Sequence, residues 1–298
     1  MKALVVGGTN GQVARELAAL DGPEFAIDVR GRPQVDLATP ATLTAAINDA
    51  KPDVVICSGA YTAVDQAESE PDLARAINAD GPGALARACA AANIPLVHLS
   101  TDYVFDGAKT SSYVETDATG PQTIYGFTKR DGETAIAESG VRHAILRVSW
   151  VHAPEGRNFV RTMLRLAGSR DRINVVADQI GRPTYAPHLA IAVRDIAARL
   201  LLDPSAPTGI FHLTGSGEPC SWRQFAEAIF SASQVRGGPF AAADPIPTSA
   251  YATAAKRPAN STLDCAKIAD AYGLVMPHWK QGVEECVEAI GANGWQVA

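Results

Sequence analysis

Tyr125 and Lys129 close the run Tyr125-Gly126-Phe127-Thr128-Lys129, and on a helix residues four apart share one face. A phenol beside an ammonium suits proton donation to a carbonyl oxygen as hydride reaches the carbon, because the cation favours phenolate and draws the tyrosine pKa down. The spacing alone arises easily by chance, so its weight comes from its neighbours. The first neighbour is Ser100-Thr101-Asp102-Tyr103-Val104-Phe105, directly after an apolar run. Thr101 offers a hydroxyl to the reacting oxygen and Asp102 a carboxylate to a sugar hydroxyl. The plainer reading is a turn in which either side chain caps backbone N–H groups.

The second neighbour is Gly7-Gly8-Thr9-Asn10-Gly11-Gln12-Val13-Ala14, after the first apolar run and before a helical stretch. Gly8 and Gly11 let the backbone turn tightly and approach a pyrophosphate, and the following helix N-terminus offers N–H groups to its oxygens. Asp28 ends the second predicted strand, and Arg30 and Arg32 follow. An acid there accepts the ribose hydroxyls of NAD, whereas an arginine pairs with the 2′-phosphate of NADP, so both NADH and NADPH stay open. Asp36 and Leu37 can flank the adenine, and Gly59-Ala60-Tyr61-Thr62, after the third strand, should line the cofactor. Trp150, after the fifth, either stacks on a sugar or base or belongs to the core. None of His98, His143, His152, His188, His212 and His278 pairs at metal-ligand spacing, so no metal site is predicted.

The elements that must carry these residues are legible as alternation. Short apolar runs at 2–6, 25–28, 54–58, 96–100 and 144–149 read as buried strands. Alanine-rich stretches at 12–20, 40–50, 71–93 and 124–139 read as helices, with Pro40 and Pro71 where a first turn tolerates proline. The pattern predicts a doubly wound, Rossmann-like α/β fold, with the dinucleotide-binding part over 1–155. Residues 156–298 are expected to form mainly a smaller, irregular substrate lobe interleaved with the first part, which is completed by pieces of 170–215. Helices are predicted there at 158–168, 188–202, 221–232 and 278–290, a strand at 209–213, and an irregular proline- and glycine-rich stretch at 237–247.

Bulk properties narrow the class. The net charge of -6 lacks the basic excess of a nucleic-acid binder. Five scattered cysteines without a Cys-x-x-Cys pair suggest a reducing compartment. The first apolar run is too short for a signal peptide and no later stretch approaches a membrane span, so a soluble, cytoplasmic protein is expected.

Taken together, these motifs resemble the extended short-chain dehydrogenase/reductase superfamily and, more narrowly, the dTDP-4-dehydrorhamnose reductases. The resemblance runs nearly end to end. It rests on the segments above and on Thr62-Ala63-Val64-Asp65, Arg147-Val148-Ser149-Trp150-Val151, Asn158-Phe159, Pro247-Thr248-Ser249 and Arg257-Pro258-Ala259-Asn260-Ser261. It implies reduction of the C4 ketone of a dTDP-4-keto-6-deoxy sugar by NADPH or NADH, the last step to dTDP-L-rhamnose. Gly11, Gln12, Val13, Asp28, Asp36, Leu37, Ala60, Tyr61 and Thr62 would contact the cofactor. Thr101, Asp102, Tyr125, Lys129 and Trp150 would surround the sugar, with Lys129 also on the ribose, and Asn158 and Arg257 would reach the nucleotide diphosphate. Similar proteins form a homodimer with Mg2+ held by glutamates; Glu16 matches one such position, but Pro187 and His188 stand where another glutamate is expected, which counts against a metal.

Two rivals belong to the same resemblance. A nucleotide-sugar 4,6-dehydratase would carry Asp-Glu after the threonine, where this chain has Asp102-Tyr103, so one acid for elimination is missing; a 4-epimerase would retain its nicotinamide through turnover. A regulatory subunit like that of methionine adenosyltransferase would bind a partner instead of catalysing, against which stands the retention of Thr101, Tyr125 and Lys129 together.

Overall fold

In the computed structural model, which describes residues 1–296, six parallel strands form one sheet. They are β1 (Lys2–Val6), β2 (Ala26–Arg30), β3 (Val54–Cys57), β4 (Leu96–Thr101), β5 (His143–Val148) and β6 (Gly209–His212), in the order β6-β5-β4-β3-β1-β2. Every residue of β3 and β4 is buried, which explains why these strands read as continuous apolar runs. Successive side chains go to opposite faces. Ala3, Val5 and Ile56 join one core with α1 (Gln12–Ala18), while Leu4, Val6 and Val55 join another with α2 (Pro40–Ala50). A third core is built around Phe225, Trp279 and Ile290.

The chain leaves β1 in one direction to β2 and returns to the other side for β3, so the crevice at the carboxyl ends lies between β1 and β3. Two loops meet there. A Cβ on Gly7 would lie 2.6 Å from Ser58 Oγ, and one on Gly59 2.9 Å from Gly7 Cα, so both turns need glycine to pass each other. The first 155 residues supply five strands; the sixth comes from β6, and the 17-residue helix Ala186–Leu202 packs into the same core as α1.

Three expectations change. The helix predicted over 71–93 is broken into Pro71–Arg75, a π turn at Ala76–Asp80, and α3 (Gly81–Ala91). Pro82 has no N–H for the carbonyl of Asn78 four residues earlier, and an extra residue in the turn absorbs the misfit. β2 runs two residues further than expected, because pairing with β1 continues to Val6 opposite Arg30. The stretch expected to be irregular contains the strand Ala242–Ile246, paired in parallel with Arg172–Val176; Pro245 is tolerated because this small sheet has only two strands. Among the described residues no helix is long and apolar enough to cross a membrane.

Candidate active site

Helix α4 (Ile124–Ala137) starts where it does because Thr123 Oγ1 accepts from Gly126 N at 3.0 Å and Glu68 Oε1 accepts from Ile124 N at 2.9 Å. This start puts Tyr125 in the first turn, beside the end of β4. A Cβ on Gly126 would collide with the Tyr103 carbonyl oxygen, so the small residue lets the helix reach the sheet edge. Tyr125 and Lys129 both face one cleft of about 600 Å³ that extends from the glycine turn to Trp150 and Trp222.

Lys129 is fully buried, and its ammonium donates to Leu99 O at 2.6 Å and approaches His98 Nε2 at 3.1 Å. Burial lowers its pKa to about 8, opposed chiefly by electrostatic interaction with Cys57 and Glu133. The buried His98 is held well below its usual range by desolvation and by Lys129, so it is neutral and accepts at Nε2. The expected effect of Lys129 on the phenol is therefore corrected. The ammonium is aimed at the β4 backbone and His98, and burial pushes the Tyr125 pKa up, with Thr101 hydrogen bonding opposing it. Tyr125 keeps its proton at neutral pH, the form a proton donor needs.

Thr101 has the capping role weighed for it and also faces the cleft. It caps the 3₁₀ turn Asp102–Val104, accepting from Tyr103 N at 3.2 Å, and it lines the cleft while donating to Asp102 Oδ1 at 2.9 Å. Asp102 is buried, and desolvation raises its pKa to about 6 against hydrogen bonds from Ser261 and Thr101. Trp150 packs against the third core, as its second reading expected, stacked on Trp222 with centroids 3.6 Å apart, and Trp150 and Trp222 both line the cleft. Its φ of 49° is left-handed, a strained conformation for a tryptophan at this wall.

Gly8, Gly11, Gln12, Val13, Asp36, Leu37, Ala60 and Thr62 line the same cleft at the β1 and β3 ends. The residues present fit a dinucleotide. Nothing lies within 4 Å of the place where a Cβ on Gly8 would stand, leaving bare backbone open to a ligand, and the first turn of α1 carries no acidic side chain.

Five of the sequence-predicted residues lie outside this lining. Asp28 is held by Arg30 at 2.8 Å, and Arg30 also pairs with Asp49 at 2.7 Å. Tyr61 donates its hydroxyl to Glu70 at 2.6 Å. Asn158 caps α5 (Phe159–Ala167) and donates to Gln12 Oε1 at 2.9 Å. Arg257 pairs with Asp65 and donates to the Tyr103 hydroxyl at 3.1 Å, bridging the late segment to the sheet edge. Glu16 lies elsewhere, half-buried with its pKa raised by desolvation, and His188 pairs with Glu285 at 2.8 Å.

The family model described as RmlD substrate binding domain matches residues 1–291. A protein of Sinorhizobium fredii named dTDP-4-dehydrorhamnose reductase is 48% identical over 98% of both chains. The chain belongs to the dTDP-4-dehydrorhamnose reductase family. Two solved structures with that name are similar throughout. The Clostridium acetobutylicum protein has a TM-score of 0.90 at 34% identity, covering 98% of this chain and 100% of its own. The Bacillus anthracis protein, crystallised in complex with NADP, has a TM-score of 0.86 at 34% identity, covering 96% and 98%.

In this dTDP-4-dehydrorhamnose reductase fold several site residues were not singled out by sequence. Asn78, in the π turn, accepts from Tyr61 N at 2.8 Å and donates to Thr128 Oγ1 at 3.2 Å, joining the β3 loop to α4. The Gly81-Pro82-Gly83 run was the available signal. Trp222 reaches the cleft from the helix Trp222–Gln234, far along the chain from Trp150. His98 sits on the apolar strand β4 and shows its role only once α4 is docked.

Proposed function

We propose that the protein reduces the C4 ketone of dTDP-4-dehydrorhamnose to dTDP-L-rhamnose, with NADPH or NADH as donor. The observation that carries this reading is the protonated, buried Tyr125 facing the cleft between Thr101 and Lys129, with Tyr103 where elimination would need a second acid. A bound nicotinamide supplies hydride to C4. Tyr125 gives its proton to O4 as charge develops there, and the phenolate regains a proton from cleft water. Thr101 donates a hydrogen bond to the same oxygen, switching from its resting partner Asp102 Oδ1. Lys129, fixed by Leu99 O and His98, holds the nicotinamide ribose. Asp102 binds a sugar hydroxyl, and the Trp150–Trp222 pair forms the apolar wall that orders the ring and excludes water.

The reaction is assigned to the cytoplasm, where the buried Cys57, Cys89, Cys220 and Cys286 and the half-buried Cys265 remain thiols. A homodimer is the assembly suggested by similar proteins. The test is product analysis with dTDP-4-keto-6-deoxyglucose, a 3,5-epimerase and each nicotinamide cofactor. The reading predicts one NAD(P)H oxidised per dTDP-L-rhamnose formed. Interconversion of a dTDP-4-hydroxy sugar with its C4 epimer, without the added epimerase and without net cofactor oxidation, would assign a 4-epimerase instead, and no turnover with capture of a synthetase would assign a regulatory subunit.

A further inference from the structure

A tyrosine that has given up its proton must regain one before the next turnover, and the surroundings of Tyr125 restrict the route. Its ring packs with Ala67 and Ala74, and the Tyr103 ring stands edge-on to it with centroids 5.5 Å apart. The side left open is the cleft, which sugar and nicotinamide fill during the reaction. The Lys129 ammonium is turned to Leu99 O and His98. Thr101 is the group that hydrogen-bonds the phenol, and it also meets Asp102 Oδ1 at 2.9 Å. Thr101 and Asp102 are each only 4% exposed, yet both reach the cleft. Asp102 Oδ2 has no close hydrogen-bond partner among the described residues, which is costly for a permanently ionised carboxylate. Burial draws this carboxyl up to about 6, so its acid and ionised forms are both within reach near neutral pH.

We propose that Asp102 reloads Tyr125 with its proton through the Thr101 hydroxyl, the three side chains forming a relay from cleft water to the proton donor. Neutral Asp102 gives its Oδ1 proton to Thr101 Oγ1 as Thr101 gives its own hydroxyl proton to the Tyr125 oxygen. At each transfer one O–H bond breaks and one forms, and the negative charge passes from phenolate to carboxylate. Cleft water then returns a proton to Asp102. Thr101 has the one proton and two lone pairs this needs, one lone pair being taken by Tyr103 N at 3.2 Å. The relay rests on the reductase reading, and the experiment separates the two.

Reduction of a ketone by NAD(P)H consumes one solvent proton per hydride. Stopped-flow mixing of the nicotinamide-loaded full chain with dTDP-4-dehydrorhamnose, in weak buffer with a pH indicator, follows nicotinamide oxidation and proton uptake together. In the parent, uptake should keep pace with oxidation. In Asp102→Asn it should trail oxidation by at least about tenfold, kcat should fall more than the first-turnover rate, and added imidazole, a small proton donor, should relieve the lag. Thr101→Val should show the same lag with Asp102 in place, and Thr101→Ser should not. Uptake that keeps pace in Asp102→Asn and Thr101→Val, or a lag that imidazole leaves unchanged, overturns the relay. An Asp102→Asn variant slowed equally in its first and later turnovers would make Asp102 a sugar-binding group alone and overturn it too. A parent that oxidises no nicotinamide with this keto sugar would overturn the reductase reading itself.

Discussion

Replacing Glu133 removes one charge from an ion pair that water barely reaches. Its side chain is 4% exposed and that of Arg147 is 2% exposed. Both guanidinium contacts are short: Nε to Oε1 is 2.9 Å and the terminal nitrogen to Oε2 is 2.7 Å. Ser100 Oγ donates to Oε1 at 2.5 Å. Without the carboxylate, the Arg147 guanidinium keeps, among the described residues, the Phe105 ring 4.9 Å from its central carbon and a His212 contact at 3.5 Å. A buried charge stripped of its partner costs about 3–5 kcal/mol, so Glu133→Ala should lose that much of a total stability of roughly 5–15 kcal/mol. Glu133→Gln keeps the shape and one acceptor, and should lose about 1.5–3 kcal/mol. The double variant Glu133→Leu/Arg147→Met should be more stable than Glu133→Ala, because no charge is then left buried. Urea denaturation followed by two spectroscopic probes measures all three. A loss below about 1 kcal/mol for Glu133→Ala, or a double variant less stable than Glu133→Ala, would refute the reasoning. Glu133 lies one turn beyond Lys129 on α4, so the pair also anchors the helix that carries the proposed proton donor.

Two further perturbations test the site's electrostatics and packing. Asp102 titrates at about 6 in the folded protein against 3.8 for an ordinary aspartate, so the native state binds the extra proton between those values and its stability falls as pH rises through about 6. Asp102→Asn lacks this titration, and its Tm relative to the parent should be higher at pH 7.5 than at pH 4.5; the opposite slope would contradict the burial argument. Gly132→Ala places a methyl against the Asn78 carbonyl oxygen in the π turn, and over-packing of about 1–3 kcal/mol should appear as a lower urea midpoint. An unchanged midpoint would show that α4 and the π turn can separate without cost.

The sheet was legible because β1, β3 and β4 are buried on both faces, which leaves unbroken apolar runs in the sequence. The glycine turn was legible because Gly7, Gly8 and Gly11 serve a local backbone need. Features that depend on two distant segments were not. The π turn follows from Pro82 locally, yet its use, fitting the Asn78 carbonyl against Gly132 of α4, appears only when the helices pack. The strand-end shift from Asp28 to Arg30 is only two residues, but it changes which side chains stand at the cleft and brings Arg32 forward. Lys129 was read as the partner of Tyr125, whereas its hydrogen bonds go to the β4 backbone and to His98, a residue on a different element. The direction of the Tyr125 shift was missed for the same reason, since burial is a property of the folded cleft.

The central claim is that Tyr125 delivers the proton to the carbonyl oxygen. Steady-state and single-turnover rates of dTDP-4-dehydrorhamnose reduction by Tyr125→Phe, beside cofactor titration, test it most directly. The account predicts a fall in kcat of roughly 10²-fold or more with little change in cofactor affinity. A near-normal kcat would contradict it.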